Sequence, residues 1–223
     1  MSKKIFVTGT GTDVGKTYAT ALIIKKLRES GFSAGYYKAA ASGEFIEGLT
    51  ADAFCVKKIA GSESVIKESV SYSFENPVSP HLAAKISDRP IEFSKIEKDF
   101  SYADKSFDFL TVEGSGGIIC PLRRDEKILM LDDIVKKLNL PVVVVIDSKL
   151  GEINSAVLTI EHLFAKKISV NGLIFNRFDE KNLLHNDNKK VSEEITNLPT
   201  LATIKKDAVE LDISPEKLTA IYE

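Results

Sequence analysis

The stretch Gly9-Thr10-Gly11-Thr12-Asp13-Val14-Gly15-Lys16-Thr17 decides the fold. It follows the β-branched run Ile5 to Thr8 and precedes a segment in which Ala19, Ile23 and Leu27 share one face by i, i+4 spacing, with Gly31 placed to stop the helix. A glycine-rich turn between strand and helix, closing on Gly-Lys-Thr, is the context that a phosphate-binding loop requires. Backbone N–H groups of Gly11 to Gly15 and of the helix amino terminus can point at phosphate oxygens. Lys16 can neutralise charge at the β and γ positions, and the Thr17 hydroxyl can take Mg²⁺. The loop is a variant, because the strict pattern wants glycine five residues before Gly15, where this chain has Thr10 between Gly9 and Gly11.

Working outward, Gly35 to Lys38, Phe109 to Val112, Val142 to Ile146, Leu173 to Phe175 and Thr200 to Ile204 read as further strands buried on both faces. Helical faces lie between them, at Ala156, Ile160, Leu163 and Phe164 and at Leu131, Ile134, Val135 and Leu138. Asp132 and Asp133 in the latter's first turn read as ordinary amino-terminal acids. Ser69 to Phe74 alternates, with Val70, Tyr72 and Phe74 on one face, and then Pro77 and Pro80 break the pattern before a short helix-like stretch from His81 to Ile86. That region reads as an edge element and a loop. Strand and helix alternation predicts an α/β fold, with a mostly parallel central sheet and helices on both faces. Ligands of such sheets bind beyond the carboxyl ends of the strands. Five of those ends carry small or polar residues here: Thr8 and Gly9, Lys38, Glu113 and Gly114, Asp147, and Asn176.

The 223 residues suit one domain spanning 1–223, and 43% apolar with 28% charged residues excludes a disordered or collagen-like chain. A formal charge of −2 supplies no global field toward nucleic acid or acidic membrane. The two cysteines, Cys55 and Cys120, are too few for a disulfide framework or a zinc site and read as reduced thiols in or near the core. No apolar run approaches the roughly 18 residues of a spanning helix, and the expected location is the cytosol.

A bound nucleoside triphosphate needs Mg²⁺, which takes oxygen ligands. Glu113, at a strand end beside Gly114-Ser115-Gly116-Gly117, is the first candidate, with a structural acid as the alternative. Asp52, two residues after Thr50, is either a metal ligand or a first-turn acid. Lys38 faces the same crevice as Lys16, and two cations converging past the γ-phosphate suggest a phosphoryl group meeting an anionic acceptor. Gly151-Glu152-Ile153-Asn154 opens a helix, either as a carboxylate-binding turn or as a plain connection. Asn176 has the donor and acceptor pair that can read a purine edge. His81 reads as a loop histidine without proton-transfer duty.

Together these residues resemble the dethiobiotin synthetase family, ATP-dependent cyclo-ligases of the P-loop NTPase superfamily. The likeness runs through Phe6-Val7-Thr8-Gly9-Thr10, Val14-Gly15-Lys16-Thr17, Tyr37-Lys38 with Ala41-Ser42-Gly43, Asp52-Ala53, Pro77 with Ser79-Pro80-His81, Val112-Glu113-Gly114 with Gly116-Gly117, and Leu150-Gly151 with Ile153-Asn154. The resemblance implies that 7,8-diaminononanoate, CO₂ or bicarbonate and ATP give dethiobiotin, ADP and phosphate, through a carbamate and a carbamic-phosphoric anhydride. It implies catalytic roles for Lys16, Lys38 and Thr12, and Mg²⁺ on Thr17, Asp52 and Glu113. Nucleotide contacts are implied for Gly11 to Tyr18, Asp52, Glu113, Gly114, Gly116 and Asn176. Substrate contacts are implied for Lys38, Ser42, Ser79, Pro80, Gly116 and Gly117, and for Gly151, Glu152, Ile153 and Asn154 of a partner copy, hence a homodimer with shared sites and neither nucleic-acid nor membrane partners.

Three departures from the family pattern stand out. Ala39 replaces a proline that many relatives carry after the lysine, which should loosen that loop. Glu152 puts a negative side chain at the carboxylate turn, and Leu201 to Lys206 lacks the glycine and proline often found beside the base. The competing reading is a partition-type ATPase acting as a nucleotide-switched binding module. It predicts an additional lysine early in the loop, where this chain has Thr10 and Gly11.

Overall fold

The computed structural model describes residues 1–61 and 69–222. Strand β1 (Lys3–Gly9) leads into α1 (Lys16–Glu29), β2 (Ala34–Ser42), the hairpin of β3 (Phe45–Ile46) and β4 (Leu49–Thr50), and α2 (Ala51–Ala60). Then come β5 (Val70–Phe74), α3 (Pro80–Ile86), α4 (Phe93–Ser106), β6 (Phe109–Glu113), the hairpin of β7 (Pro121–Arg124) and β8 (Ile128–Met130), and α5 (Leu131–Lys137). The remainder comprises β9 (Val142–Asp147), α6 (Glu152–Ala165), β10 (Val170–Asn176), α7 (Leu183–Thr196), β11 (Thr200–Ile204) and α8 (Pro215–Thr219).

Among the described residues, seven strands form one sheet in the order β11-β10-β9-β1-β6-β2-β5, and every neighbouring pair is parallel. This is the expected α/β architecture. The run Val142 to Ile146 shows why a strand without polar alternation belongs at its centre. Val142, Val144 and Ile146 pack into one core with Ile134 and Ile160, while Val143 and Val145 pack into the opposite core with Ile23 and Leu27. Both faces are apolar because both are covered by helices.

Lys38 is not the end of its strand, as the sequence suggests. β2 continues through Ala39, Ala40 and Ala41 because the two neighbours of β2 are offset. Its first half pairs with β6 as far as Lys38 opposite Glu113, and its second half pairs with β5 from Lys38 opposite Val70 to Ser42 opposite Phe74. Ala39 therefore lies in a hydrogen-bonded strand, and the expected loosening of a loop there is corrected. β5 is the edge strand foreseen from its sequence. Its Tyr72 and Phe74 rings stack 6.2 Å apart, whereas Val70, at the strand's entry into the sheet, packs against the opposite core.

The paired acids of α5 divide their work. Asp133 Oδ2 accepts the Met130 N–H at 2.9 Å, an amino-terminal cap, while buried Asp132 takes His162 Nε2 at 2.8 Å and joins α5 to α6. Asp104 of α4 does the same for the chain's beginning: its Oδ1 accepts the Ser2 N–H at 2.9 Å, the Ser2 hydroxyl at 2.7 Å and Lys4 Nζ at 3.0 Å. Burial opposes the Asp104 charge, but those three donors outweigh it and hold its carboxyl below the ordinary carboxylate range. A depressed carboxyl contributes stability that is present above its unfolded pKa and is lost as pH falls through the folded value. Asp104→Ala should cost about 2 kcal/mol at neutral pH by orphaning buried donors. The gap in melting temperature between variant and wild type, followed by circular dichroism, should close below the ordinary carboxylate range; a gap independent of pH contradicts this.

Candidate active site

The carboxyl ends of β1, β2 and β6 open into a cavity of about 1010 Å³, at the upper end of the size range of small-molecule sites. The phosphate-binding loop forms one wall. Gly15 caps α1 at φ +94°, and a Cβ there would lie 1.9 Å from Asn176 Nδ2, so both conformation and space demand glycine. Lys16 leads the helix, and its Nζ donates to the Gly11 carbonyl at 2.7 Å. Burial lowers its pKa, against the pull of Glu113. Thr12, Asp13, Thr17 and Tyr18 also line the cavity.

Opposite the loop sits a cluster of charge. Sheet register places Lys38 beside Glu113, and Thr50 caps α2 so that Asp52 falls in its first turn and turns inward. Lys38 Nζ donates to Asp52 Oδ2 at 2.6 Å and to Glu113 Oε1 at 2.8 Å. Burial disfavours the Lys38 charge, but Glu113 and Asp52 overcome it, so its pKa is raised and it is cationic at neutral pH. Asp52 moves the other way: burial works against its charge, and Lys38 and Thr17 more than compensate, lowering its pKa. The Thr17 hydroxyl lies 3.0 Å from Asp52 Oδ1 and 2.7 Å from Glu113 Oε1. With one proton it can donate to only one of them, which leaves an oxygen–oxygen contact that a cation would satisfy. Two carboxylates and a hydroxyl facing a phosphate site are the hard-oxygen set that suits Mg²⁺.

Some of the site was not anticipated. Tyr36 lies two residues before Lys38, on the same face of β2, and its buried hydroxyl donates to Glu113 Oε2 at 2.9 Å. Burial and then the Glu113 charge push its pKa well above the ordinary tyrosine value, so it remains a donor. Strand alternation, with the rule that a buried tyrosine hydroxyl needs a partner, could have exposed it. Ser115 donates to the Ala40 carbonyl and fixes the glycine run after β6. Arg177, at φ +55°, lines the cavity and donates to the Asp13 carbonyl and to both Asp147 carboxylate oxygens.

Among the other candidates, Ser42, Ser79, Pro80, Gly116 and Gly117 line the cavity, and the Ser42 hydroxyl is held by the Val78 carbonyl. Gly11, Val14, Gly114 and Asn176 do not line it. Gly114 is a packing glycine, since a Cβ would meet the Phe6 ring at 2.9 Å. Asn176 Nδ2 donates one of its two N–H groups to the Val14 carbonyl at 3.0 Å, which leaves its second N–H and its side-chain oxygen as the donor and acceptor pair expected of it. Gly151, Glu152, Ile153 and Asn154 are not among the lining residues of their own chain's cavity. The Glu152 carboxylate turns toward the phosphate-binding loop, where its Oε2 accepts the Thr10 hydroxyl at 2.6 Å. His81 is half-buried at the start of α3.

Backbone donors at a helix amino terminus, set across one cavity from hard-oxygen ligands and a second lysine, place the molecule among P-loop nucleotide enzymes. A family described as an AAA domain matches residues 3–209. Curated relatives narrow the class. ATP-dependent dethiobiotin synthetase BioD of Clostridium botulinum strain Eklund 17B is 46% identical, with 100% of this chain and 99% of that protein covered. The Brachyspira hyodysenteriae protein of the same name is 45% identical, covering 95% and 96%. The chain belongs to the dethiobiotin synthetase family, which makes it an ATP-dependent ligase. Among solved structures, the MinC:MinD cell division protein complex of Aquifex aeolicus aligns with a TM-score of 0.59 at 16% identity, over 92% of this chain and 82% of that one. A ParA family ATPase from Chlorobium tepidum gives 0.56 at 17%, over 92% and 85%. At such identities the likeness concerns the fold alone.

Both cysteines line this cavity, Cys55 from α2 and Cys120 from the segment after the glycine run. Burial pushes the Cys120 thiol up to about 11, against the nearby Lys16 and Lys38 charges. At pH 8 its thiolate fraction is about 100-fold below that of an ordinary cysteine, so iodoacetamide should label it about two orders of magnitude more slowly than glutathione. Peptide mapping after timed alkylation measures this, and labelling at the glutathione rate contradicts it.

Proposed function

We propose that the protein carboxylates and cyclises 7,8-diaminononanoate with CO₂ and Mg-ATP to dethiobiotin, ADP and phosphate. One observation carries the reading: Lys38 stands across the cavity from the phosphate-binding loop, on the same carboxylates that the Thr17 hydroxyl meets. A second cation can assist hydrolysis as well, but Lys38 stands where an anionic acceptor would approach the γ-phosphate, and such an acceptor needs its charge offset. Membership of the dethiobiotin synthetase family supports reading that acceptor as a carbamate.

One substrate amine adds to CO₂, losing a proton and becoming a carbamate. Loop amides from Gly11 to Gly15 and the Lys16 ammonium hold the β- and γ-phosphates. Mg²⁺ would rest on Thr17, Asp52 and Glu113, and when bound it neutralises charge on the phosphate oxygens. Lys38 holds the carbamate oxygen in line with the γ-phosphorus, and the Thr12 hydroxyl and Ser42 help to position it. The carbamate oxygen takes the phosphoryl group and ADP leaves. The second amine then attacks the activated carbonyl, phosphate departs, and the ureido ring closes with no covalent bond to the protein. Tyr36 keeps Glu113 oriented throughout.

Ser79, Pro80, Gly116 and Gly117 border the substrate chain. The turn from Gly151 to Asn154 of a second copy receives its carboxylate, so the working unit is a cytosolic homodimer. The orientation of Glu152 toward its own loop supports this, since it leaves the turn's backbone donors clear of the carboxylate. Among the described residues, no helix is long and apolar enough to cross a membrane.

Phosphate release from Mg-ATP tests the reading, with diaminononanoate and bicarbonate together and with each omitted, and with the organic product weighed by mass spectrometry. Release should require both and yield dethiobiotin. Lys38→Gln should melt at a lower temperature, because it leaves Glu113 buried without its cation, and where it remains folded it should bind Mg-ADP within a few-fold of wild type yet lose about 10²–10³ in kcat. Release indifferent to both co-substrates would move the assignment to a nucleotide-switched binding module, and wild-type turnover by Lys38→Gln would remove its role.

A further inference from the structure

We propose that Glu152 is a positioning residue for the phosphate-binding loop, tying the loop's outer limb to the first turn of α6 through the Thr10 hydroxyl. The inference rests on reading that loop as the nucleotide site. Thr10 Oγ1 and Glu152 Oε2 meet at 2.6 Å although 142 residues separate them in sequence. Glu152 is 6% exposed, so its charge demands a partner. A hydroxyl donating to a carboxylate is among the stronger hydrogen bonds.

The surroundings fix the acid from both sides. Glu152 is the first residue of α6, behind Gly151 at φ +93° with no side-chain cap, where the helix dipole favours negative charge. Lys149 Nζ lies 3.8 Å from Glu152 Oε1 and 3.5 Å from Asp147 Oδ2, but that lysine is largely exposed and holds little. The β9–α6 connection is itself braced, with Asn188 Nδ2 on the Lys149 carbonyl at 2.9 Å and the Ser148 hydroxyl on the Asn176 carbonyl at 2.8 Å.

The limb from Thr10 to Asp13 is thus held at both ends by side chains from other elements. Glu152 holds it at Thr10, and Arg177, braced by Asp147, holds it at the Asp13 carbonyl. Gly11 and Thr12 span the interval. Fixing both ends of that limb before a phosphate arrives reduces the ordering that binding must supply. Thr10 stands where the strict motif has glycine, and its side chain supplies the hydroxyl that Glu152 binds.

Calorimetric titration of Mg-ADP, with no other substrate present, tests the tether in wild type, Glu152→Ala, Glu152→Gln, Thr10→Val and the double variant Glu152→Ala/Thr10→Val. Glu152→Ala and Thr10→Val should each weaken binding about tenfold. The double variant should be no weaker than either single one, because both remove the same bond. Glu152→Gln, whose amide oxygen can accept the same proton, should remain within about threefold of wild type. The KM for ATP should rise by the same factor as the ADP Kd. Thr10→Val and Glu152→Gln are near-isosteric and guard against loss of fold, which melting curves monitor. Unchanged Kd in the single variants, or additive losses in the double one, overturns the tether while leaving the nucleotide site intact. A wild-type protein that does not bind Mg-ADP would instead overturn the reading of the loop.

Discussion

A buried ammonium between two carboxylates, Lys38 with Asp52 and Glu113, is the constraint around which the cavity is built. Taking the Lys38 and Glu113 charges out of water is costly, and the cluster persists because every member is paired or hydrogen-bonded, with Asp52 half-buried at its rim. Three separate elements must arrive together for this. β2 and β6 supply Lys38 and Glu113 through sheet register, and the Thr50 cap sets the first turn of α2 so that Asp52 completes the group. Tyr36, from β2 itself, donates to Glu113 Oε2, and Thr17, from the helix of the phosphate loop, lies against Asp52 Oδ1 and Glu113 Oε1. The active-site chemistry proposed here borrows this structural arrangement: charges that stabilise one another in the folded chain are those that a phosphate and its metal would engage.

The second organising feature is the packing of the loop against the neighbouring strand ends. Gly15 admits Asn176, whose amide holds the Val14 carbonyl, while Arg177 holds Asp13 and Glu152 holds Thr10. Residues at the end of β10 and just after it, and the first residue of α6, therefore shape a loop that belongs to β1 and α1. A sheet with its strand order centred on β1 makes this possible, because β9 is the immediate neighbour of β1 and β10 lies one strand further out.

Much of this was legible in the sequence, for identifiable reasons. Buried parallel strands leave runs such as Val142 to Ile146 that resemble little else, and the turn between strand and helix in Gly9 to Thr17 has a demanding local geometry. Lys38 and Glu113 were readable as residues facing the ligand-binding edge of the sheet, although Lys38 lies within β2 and not at its end. Their contact was not, since it depends on register between strands about 75 residues apart in sequence. The continuation of β2 through three alanines was hidden because small residues carry weak strand preference, and pairing with the edge strand β5 overrides it. Asn176 stands at the strand end where it was expected, while its contact with Val14 was not legible, since it depends on a missing Cβ at Gly15. The helical period of α4 is present in the spacing of Phe93, Ile96, Phe100 and Ala103, whereas the strands of the short hairpins have too few residues to show a period.

The most direct test of the account is the Mg²⁺ affinity of the ADP-loaded protein, compared between wild type and Glu113→Gln by calorimetry. If Thr17, Asp52 and Glu113 form the metal-receiving face of the site, Glu113→Gln should lower Mg²⁺ affinity by about 10–100-fold while ADP alone binds within a few-fold of wild type. Equal Mg²⁺ affinity in the two proteins would contradict the account, and would leave the Lys38 cluster as a structural ion network apart from the chemistry.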